Sequence, residues 1–558
     1  MINNDDDQVV AYAQTNYRNL TKKYGIKTKD RRTHMYLIGK SGTGKSTMQE
    51  NMIIQDIQAG RGVAVVDPHG DMVEKIINFI PSYRINDTIY FNPADINYPF
   101  AFNVLEKVDE EHQHLVASGL IGVFRKIWAD TWGPRLEYVL RNAILALLEY
   151  PDSTLLGIMR LLVDADYRKK VISQVKDPVV RSFWVDEYEK YKGDFQVQAI
   201  APIQNKVGAF LSSFLIRNVV GQIQSSIDLR EVMDSGKILL LNLSKGRIGE
   251  DNSALLGAMM ITKIQLAAMS RVDIPENERR DFYLYIDEFQ NFATESFADI
   301  LSEARKYHLS MILAHQYRAQ LDEKVQDAIF GNVGTLVSFR VGADDAEYLE
   351  KEFEPQFTKM DLVNLNKFNI YNKLMIDGIT SPAFSAIGLP PIQLSGENTG
   401  NLEKVINLTR EKYCKKREII EDKISRWSTA ESLGGATGGD KNSLDKGFKV
   451  NCSRCGVETS VPFKPDGLRP SFCPDCLKLF KAGKISREAL DKFTAAVAPV
   501  VPADSAVVPK PDNNSAESVV EPKAIPATKD VQVEDSGVSL TEAINQGVTG
   551  FSRRRKEE

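Results

Sequence analysis

The chain has 558 residues, enough for two to four folded units. Hydrophobic residues make up 43% and charged residues 26%, which excludes disorder over most of the length. Lys and Arg total 70 against 75 Asp and Glu, a net charge of −5. That excludes a global basic footprint, so any nucleic-acid site is a local stripe or a channel lining. Residues 1–7 carry no basic region leading into an apolar one, so no secretory signal is read. No uncharged apolar run reaches the ~18–20 residues that span a bilayer; the nearest, Leu255 to Met269, contains Lys263 and Gln265. The expectation is a soluble, cytoplasmic chain without a transmembrane segment. Five cysteines, four of them in two Cys-x-x-Cys pairs, point to a reducing compartment and a metal.

Residues 1–30 read as a polar leader with a short helix around Val9 to Tyr24. A strand at His34 to Ile38, a Gly-rich loop, a helix from Lys45 to Gly60, and strands at Gly62 to Val66 and Thr88 to Phe91 form βαβ units with a parallel sheet. From 105 to 225 the pattern is helical, with helices at His112 to Trp128, Pro134 to Leu148 and Val197 to Leu215. Strands return at Ile238 to Leu241, Phe282 to Ile286, Ser310 to Leu313, Thr335 to Val341 and Asn369 to Met375. The fold class is therefore α/β: one domain in two parts, 31–104 and 226–400, around an all-α insertion at 105–225. Parallel strands permit this because a crossover connection can be long. Asn401 to Trp427 reads as one charged helix, 428–448 as a linker, and 449–480 as a metal module. In 481–558, a short helix and a mostly disordered tail are expected, with a capping box at Ser539 to Glu542.

Gly39-Lys40-Ser41-Gly42-Thr43-Gly44-Lys45-Ser46 matches G-x-x-x-x-G-K-[ST], and Gly39, Ser41, Gly42, Thr43, Gly44, Lys45, Ser46 and Thr47 are the candidate nucleotide-binding residues. Glycines let the loop wrap a phosphate and aim backbone N–H groups at its oxygens. Lys45 supplies a cation to the β/γ-phosphates, and the Ser46 hydroxyl holds Mg²⁺. An acidic pair should end a later apolar strand, and Asp287-Glu288 does so. Asp287 would join Ser46 in the Mg²⁺ shell, and Glu288 would polarise the attacking water. Alternatively, Asp287 caps the following helix. Gln316, after the next strand, is placed to sense the γ-phosphate or orient water. Arg305, at a helix end, is either an arginine finger or a surface cation favoured by the helix dipole. Asp67 and His69 end a neighbouring strand, where His69 is equally a turn residue.

Together, the phosphate loop, Asp67-Pro68-His69-Gly70-Asp71, Ile286-Asp287-Glu288-Phe289-Gln290, Glu303-Ala304-Arg305-Lys306 and Ala314-His315-Gln316 resemble the hexameric DNA-pumping ATPases of the HerA/FtsK superfamily. Within it the chain looks most like the type IV secretion coupling proteins of conjugation (the TraD/TraG group), over residues 31–430. The resemblance implies a RecA-like core in a ring of six, with ATP between subunits and DNA in the pore. It implies that Arg305 is a trans finger and Gln316 a sensor, and that the all-α insertion meets a DNA–relaxase complex or secretion-channel components. Trp132-Gly133-Pro134-Arg135 also looks familiar, without a mechanism. Family members usually carry N-terminal transmembrane helices, whereas no apolar run of membrane-spanning length stands before Gly39 in this sequence. The alternatives are a secretion ATPase powering protein export or pilus assembly, a HerA-like repair translocase, and a nucleotide-gated adaptor.

Cys452-Ser453-Arg454-Cys455 and Cys473-Pro474-Asp475-Cys476 are 17 residues apart. Four thiolates suit a closed tetrahedral Zn²⁺ site, whose binding supplies the folding energy of so short a module. The pattern resembles a zinc ribbon. Arg454, Lys464, Arg469, Lys478 and Lys481 make it basic, while Cys414 is left over.

Overall fold

The apolar runs near residues 35, 62, 238, 282 and 309 become the centre of one eleven-stranded sheet. The structure is a computed structural model describing residues 6–16, 20–106, 108–394, 401–429, 448–452, 455–461 and 472–481. It divides into a unit up to Gly439 and a unit from Asp440.

In the first unit the strands, in chain order, are β1 (Val9–Thr15), β2 (Lys23–Lys27), β3 (Met35–Ile38), β4 (Gly62–Asp67), β5 (Thr88–Phe91), β6 (Ile238–Asn242), β7 (Phe282–Ile286), β8 (Leu309–His315), β9 (Thr335–Ser338), β10 (Asn369–Lys373), β11 (Met375–Ile376), β12 (Ile379–Thr380) and β13 (Phe384–Gly388). The sheet runs β2-β1-β13-β10-β9-β3-β8-β7-β4-β6-β5. From β9 to β5 every pairing is parallel. β3, β4, β6, β7 and β8 are buried at every position, as expected of strands covered on both faces. From β9 outward to β2 the pairings are antiparallel. There the burial alternates, as in Asn369–Lys373, because one face is more open.

This outer part departs from expectation. Residues 9–27 form two strands, not a leader with a helix. Val10, Tyr12 and Ala13 are buried in the core, and β1 pairs with β13, so the segment completes the motor sheet. Its apolar positions suit a half-buried strand, and the partner that decides the matter lies more than 360 residues away in sequence.

The insertion is helical as expected, its main helices being Gln113–Ile127, Pro134–Glu149, Leu156–Val163, Ala165–Gln174, Asp194–Ser212 and Phe214–Val220. The expected helix Val197 to Leu215 is broken after Ser212, where the chain bends by 92° into the next helix. Trp132-Gly133-Pro134-Arg135 acquires a role here. Pro134 takes the first helical position, where its missing N–H costs nothing. Trp132 Nε1 donates to Glu137 Oε2 at 2.8 Å, and the Arg135 guanidinium lies 4.6 Å from the Phe195 ring centre.

Helix Glu250–Met269 is the one unbroken helix among the described residues long and apolar enough to cross a membrane; 67% of its apolar window is buried inside the fold. Leu255, Leu256, Met259 and Ile264 are fully buried there, each contributing roughly 1.5–3 kcal/mol. The expected single helix at 401–427 is two, Asn401–Tyr413 and Arg417–Thr429. Thr409 Oγ1 of the first accepts from the Tyr90 N–H on the outer side of β5, capping a sheet edge.

In the second unit β14 (Phe448–Asn451) and β15 (Glu458–Val461) form an antiparallel hairpin, and a helix spans Pro474–Lys481. Most of the 428–448 linker, the 481–558 tail and its capping box lie outside the described residues.

Candidate nucleotide site and zinc finger

The carboxyl ends of β3, β8 and β7 lie side by side, because β8 is inserted between the other two. In open α/β sheets this edge is where ligands bind. β3 delivers the loop Gly39–Gly44 and the helix Lys45–Gln58, β8 delivers Gln316, and β7 delivers Asp287 and Glu288. Gln49, fully buried on that helix, donates to the carbonyls of Ile286 and Ile312 at 3.3 and 3.2 Å, fixing the helix to both strands.

Gly42 and Gly44 have φ of 72° and 120°, a region that L side chains rarely adopt. A Cβ on Gly44 would also stand 3.1 Å from Phe368 and 3.3 Å from Phe339. Lys45 is buried and its ammonium spans the loop, donating to the carbonyls of Gly39 and Lys40 at 2.7 and 3.2 Å. Thr43 Oγ1 donates to the Lys40 carbonyl, and Ser41 and Ser46 are exposed, with Thr47 half-buried behind them.

Ser46 Oγ lies 3.4 Å from Asp287 Oδ2. Asp287 Oδ1 is buried without a hydrogen-bond partner, although a buried polar atom is normally paired. Burial, reinforced by the charges of Glu288 and Asp67, pushes the Asp287 carboxyl up to about 6. A carboxylate in that state is stabilised by a cation, and Ser46 with Asp287 is an oxygen donor set that fits Mg²⁺. No helix starts at Asp287; a single 3₁₀ turn, Phe289–Asn291, follows Glu288, so the capping alternative finds no α-helix to cap.

Glu288 adopts a left-handed backbone, φ 46° and ψ 50°. Its carboxylate is gripped at both oxygens: Gln316 Nε2 donates to Oε1 at 2.8 Å and Gln290 Nε2 to Oε2 at 2.6 Å. Gln316 also lines a cavity of 300 Å³ together with Lys40 and Ser41, on the phosphate-loop side.

Arg305 lies elsewhere. It is exposed, in the 3₁₀ turn Ala304–Tyr307 that precedes β8. Gln316 follows the far end of that seven-residue strand, so about 23 Å of extended chain separates the two ends. Asp67 accepts from the N–H groups of His69 and Val73, so it organises a turn, and His69 is an exposed turn residue.

Gln290, Lys126 and Phe368 are functional neighbours that sequence reasoning misses: Gln290 stands inside the acidic motif with no signal of its own, and Lys126 belongs to the insertion, far from Glu288 along the chain.

Comparison with known proteins now bears on this geometry. Residues 23–356 match the family model described as "Type IV secretion-system coupling protein DNA-binding domain". The chain belongs to that family. Residues 446–481 match a second model, a "Probable treble clef zinc finger". No curated protein matches. Among solved structures, the unbound monoclinic form of the bacterial conjugative coupling protein TrwBdeltaN70 is 15% identical, with a TM-score of 0.50. The match covers 70% of this chain and 91% of that one. The trigonal form of the same protein with sulphate gives 15% identity and 0.50, over 70% and 96%. VirB4 of Thermoanaerobacter pseudethanolicus gives 12% and 0.46, over 70% and 98%. At these identities the likeness concerns the fold, and the mixed sheet around the phosphate loop is the shared RecA-like core.

In the coupling-protein chain described here, the finger is built as a hairpin and a helix. Cys452 follows β14 and Cys455 sits in the turn, where the Cys452 N–H donates to the Val457 carbonyl at 2.9 Å. Cys473 and Cys476 flank the start of helix Pro474–Lys481, whose N–H groups favour negative charge. The four sulfurs lie within 4.8 Å of one another, and Cys455 and Cys473 are 3.7 Å apart. Tetrahedral Zn–S bonds of about 2.3 Å place sulfurs about 3.8 Å apart, so the set fits zinc.

Proposed function

We propose that the protein is an ATP-driven motor that moves DNA as a ring of six in a conjugation-like secretion process. The observation that carries this reading is the coupling-protein family match over a domain in which Lys45, Ser46, Asp287, Glu288 and Gln316 converge on one sheet edge.

The chain's own residues divide the work. The loop N–H groups from Gly39, Ser41, Gly42, Thr43 and Gly44 and the Lys45 ammonium bind the phosphates. Ser46 and Asp287 would hold Mg²⁺, which when bound neutralises charge on the phosphate oxygens, and Thr47, next in the helix, completes the nucleotide-binding set. Glu288 accepts a proton from the attacking water, with Gln316 and Gln290 fixing its orientation. Arg305 serves the site of a neighbouring subunit. Its exposure, and a strand's length between it and its own Gln316, suit a role in trans and not in cis.

DNA and a relaxase are the proposed partners of the ring and of the helical insertion respectively. The test is steady-state ATP hydrolysis with and without single- and double-stranded DNA, using Glu288→Gln as the blank. Strong stimulation by DNA supports the translocase. Hydrolysis indifferent to DNA overturns it in favour of a protein-secretion ATPase.

A further inference from the structure

A lysine of the helical insertion reaches the loop that carries Glu288. Lys126 is in the last turn of helix Gln113–Ile127. Its ammonium donates to the carbonyl of Gln290 at 2.6 Å and also to that of Ala293. Gln290 is the residue whose side-chain amide holds Glu288 Oε2. A short relay therefore runs from the insertion through Lys126 and Gln290 to the carboxylate.

Glu288 needs such support. A left-handed backbone at a non-glycine residue is uncommon and persists only where neighbours over-determine it. The opposite side of the loop is tied down separately. Lys245 Nζ donates to Asn291 Oδ1 at 2.7 Å, and Asn291 Nδ2 donates to the Glu288 carbonyl at 2.7 Å. Those anchors belong to the motor, whereas Lys126 is the insertion's. Beside it Arg125 faces Glu295 at 3.6 Å, so the end of this helix leans along the whole segment. The position is also tightly packed: a Cβ on Gly257 of the neighbouring core helix would come within 2.2 Å of Phe292, leaving the loop little room to drift.

We infer that Lys126 is a positioning residue: by holding Gln290 and Ala293 it keeps Glu288 aimed at the attacking water, and so makes the rate of hydrolysis depend on the placement of the helical insertion. The inference rests on the hydrolase reading above. Two discrete placements of the insertion, one with the lysine seated and one with it withdrawn, would then differ in turnover and not in nucleotide affinity.

The experiment compares wild type, Lys126→Met and Lys126→Arg, measuring kcat and KM for ATP and binding of a fluorescent ATP analogue. Lys126→Met keeps the aliphatic stem and removes the donor. We expect its kcat to fall about tenfold to a hundredfold, the scale of a misplaced catalytic group, with KM and analogue binding unchanged. Lys126→Arg can still donate to two carbonyls and should recover most of the loss. Wild-type kcat in Lys126→Met overturns the inference, as does an equal failure of both variants. If Lys126→Met does not fold, Gln290→Ala cuts the same relay from the motor side, and a wild-type kcat there overturns it too. A wild-type protein that binds ATP without hydrolysing it removes the hydrolase reading and this inference together. An active wild type with an equally active Lys126→Met removes this inference alone.

Discussion

Gln316 Nε2 donates to Glu288 Oε1 at 2.8 Å, joining the tips of β8 and β7 above the phosphate loop. Because β8 lies between β3 and β7, Gln316 is next to both the phosphate loop and the acidic pair. In the proposed reaction a change at the γ-phosphate would reach Glu288 through this amide. Gln316→Ala should therefore keep nucleotide binding and lower kcat, by about tenfold or more. Glu288→Gln should lower it by about 10²–10⁴, the range of general-base catalysis. Equal kcat for Gln316→Ala and wild type would show that the bond does not serve catalysis.

Lys45→Ala should abolish ATP turnover. Asp287→Asn should weaken the dependence of nucleotide affinity on Mg²⁺, because a neutral amide oxygen is a poorer Mg²⁺ ligand than a carboxylate. Steady-state ATP hydrolysis reads the first variant, and titration of a fluorescent nucleotide with and without Mg²⁺ reads the second. Full turnover in Lys45→Ala would remove the phosphate-loop assignment.

Arg305→Ala should bind nucleotide yet lose hydrolysis by about 10³ or more, the usual contribution of an arginine finger. Mixed with Glu288→Gln subunits, it should regain part of its activity, because some interfaces then pair an intact finger with an intact base. Absence of rescue in mixed rings would place Arg305 among surface cations.

Metal analysis of protein purified without chelator should find about one zinc per chain. Cys455→Ser should release it and unfold the hairpin and helix of the finger, since the metal supplies folding energy there. Circular dichroism and zinc release would record this. A metal-free finger with an intact fold would count against the assignment.

His34 gives the fold an acid limit. Its ring is buried, Nδ1 accepting from the Met311 N–H at 3.2 Å and Nε2 facing the Leu301 carbonyl at 3.2 Å. Burial pushes it down to about 4. The unfolded chain therefore takes up this proton first as pH falls. The stability tied to the neutral ring is complete above about pH 6.5, is lost progressively as pH falls from there to 4, and amounts to about 3 kcal/mol. His315, held down to about 3 by burial, acts in the same direction. Urea unfolding at pH 7.5 and 5 should show the loss, and His34→Gln should shrink it. An unchanged pH slope in His34→Gln would contradict this.

Sequence pattern revealed the parallel core and the phosphate site readily, for a physical reason. β3, β7 and β8 are buried on both faces, so they read as apolar runs, and a phosphate loop needs glycines at fixed spacing. Asp287 and Glu288 stand at the end of such a run. What pattern missed depends on distant partners. β1 and β13 are half-buried strands whose pairing spans nearly the whole motor, and residues 9–24 alone do not distinguish a strand from a short helix. The break between the helices ending at Tyr413 and starting at Arg417 was masked by an even charge pattern. Lys126 and Gln290 gain meaning only from contacts between an insertion and a loop far apart in sequence, and a surface-like lysine in a helical pattern gives no local signal.

The order of strands also sets when the site can exist during synthesis. β3 carries the phosphate loop, yet both of its sheet neighbours, β8 and β9, are made after residue 308. Until they emerge from the ribosome, β3 has only unpaired backbone on either side, and the glycine loop at its tip has no frame. β1 waits longer still for β13. The nascent chain can fold its helical insertion locally, because those contacts are short in sequence, but the long-range pairings form late. The phosphate loop therefore has no complete frame until the second half of the sheet is made, and β3 stays open to wrong pairing for most of synthesis.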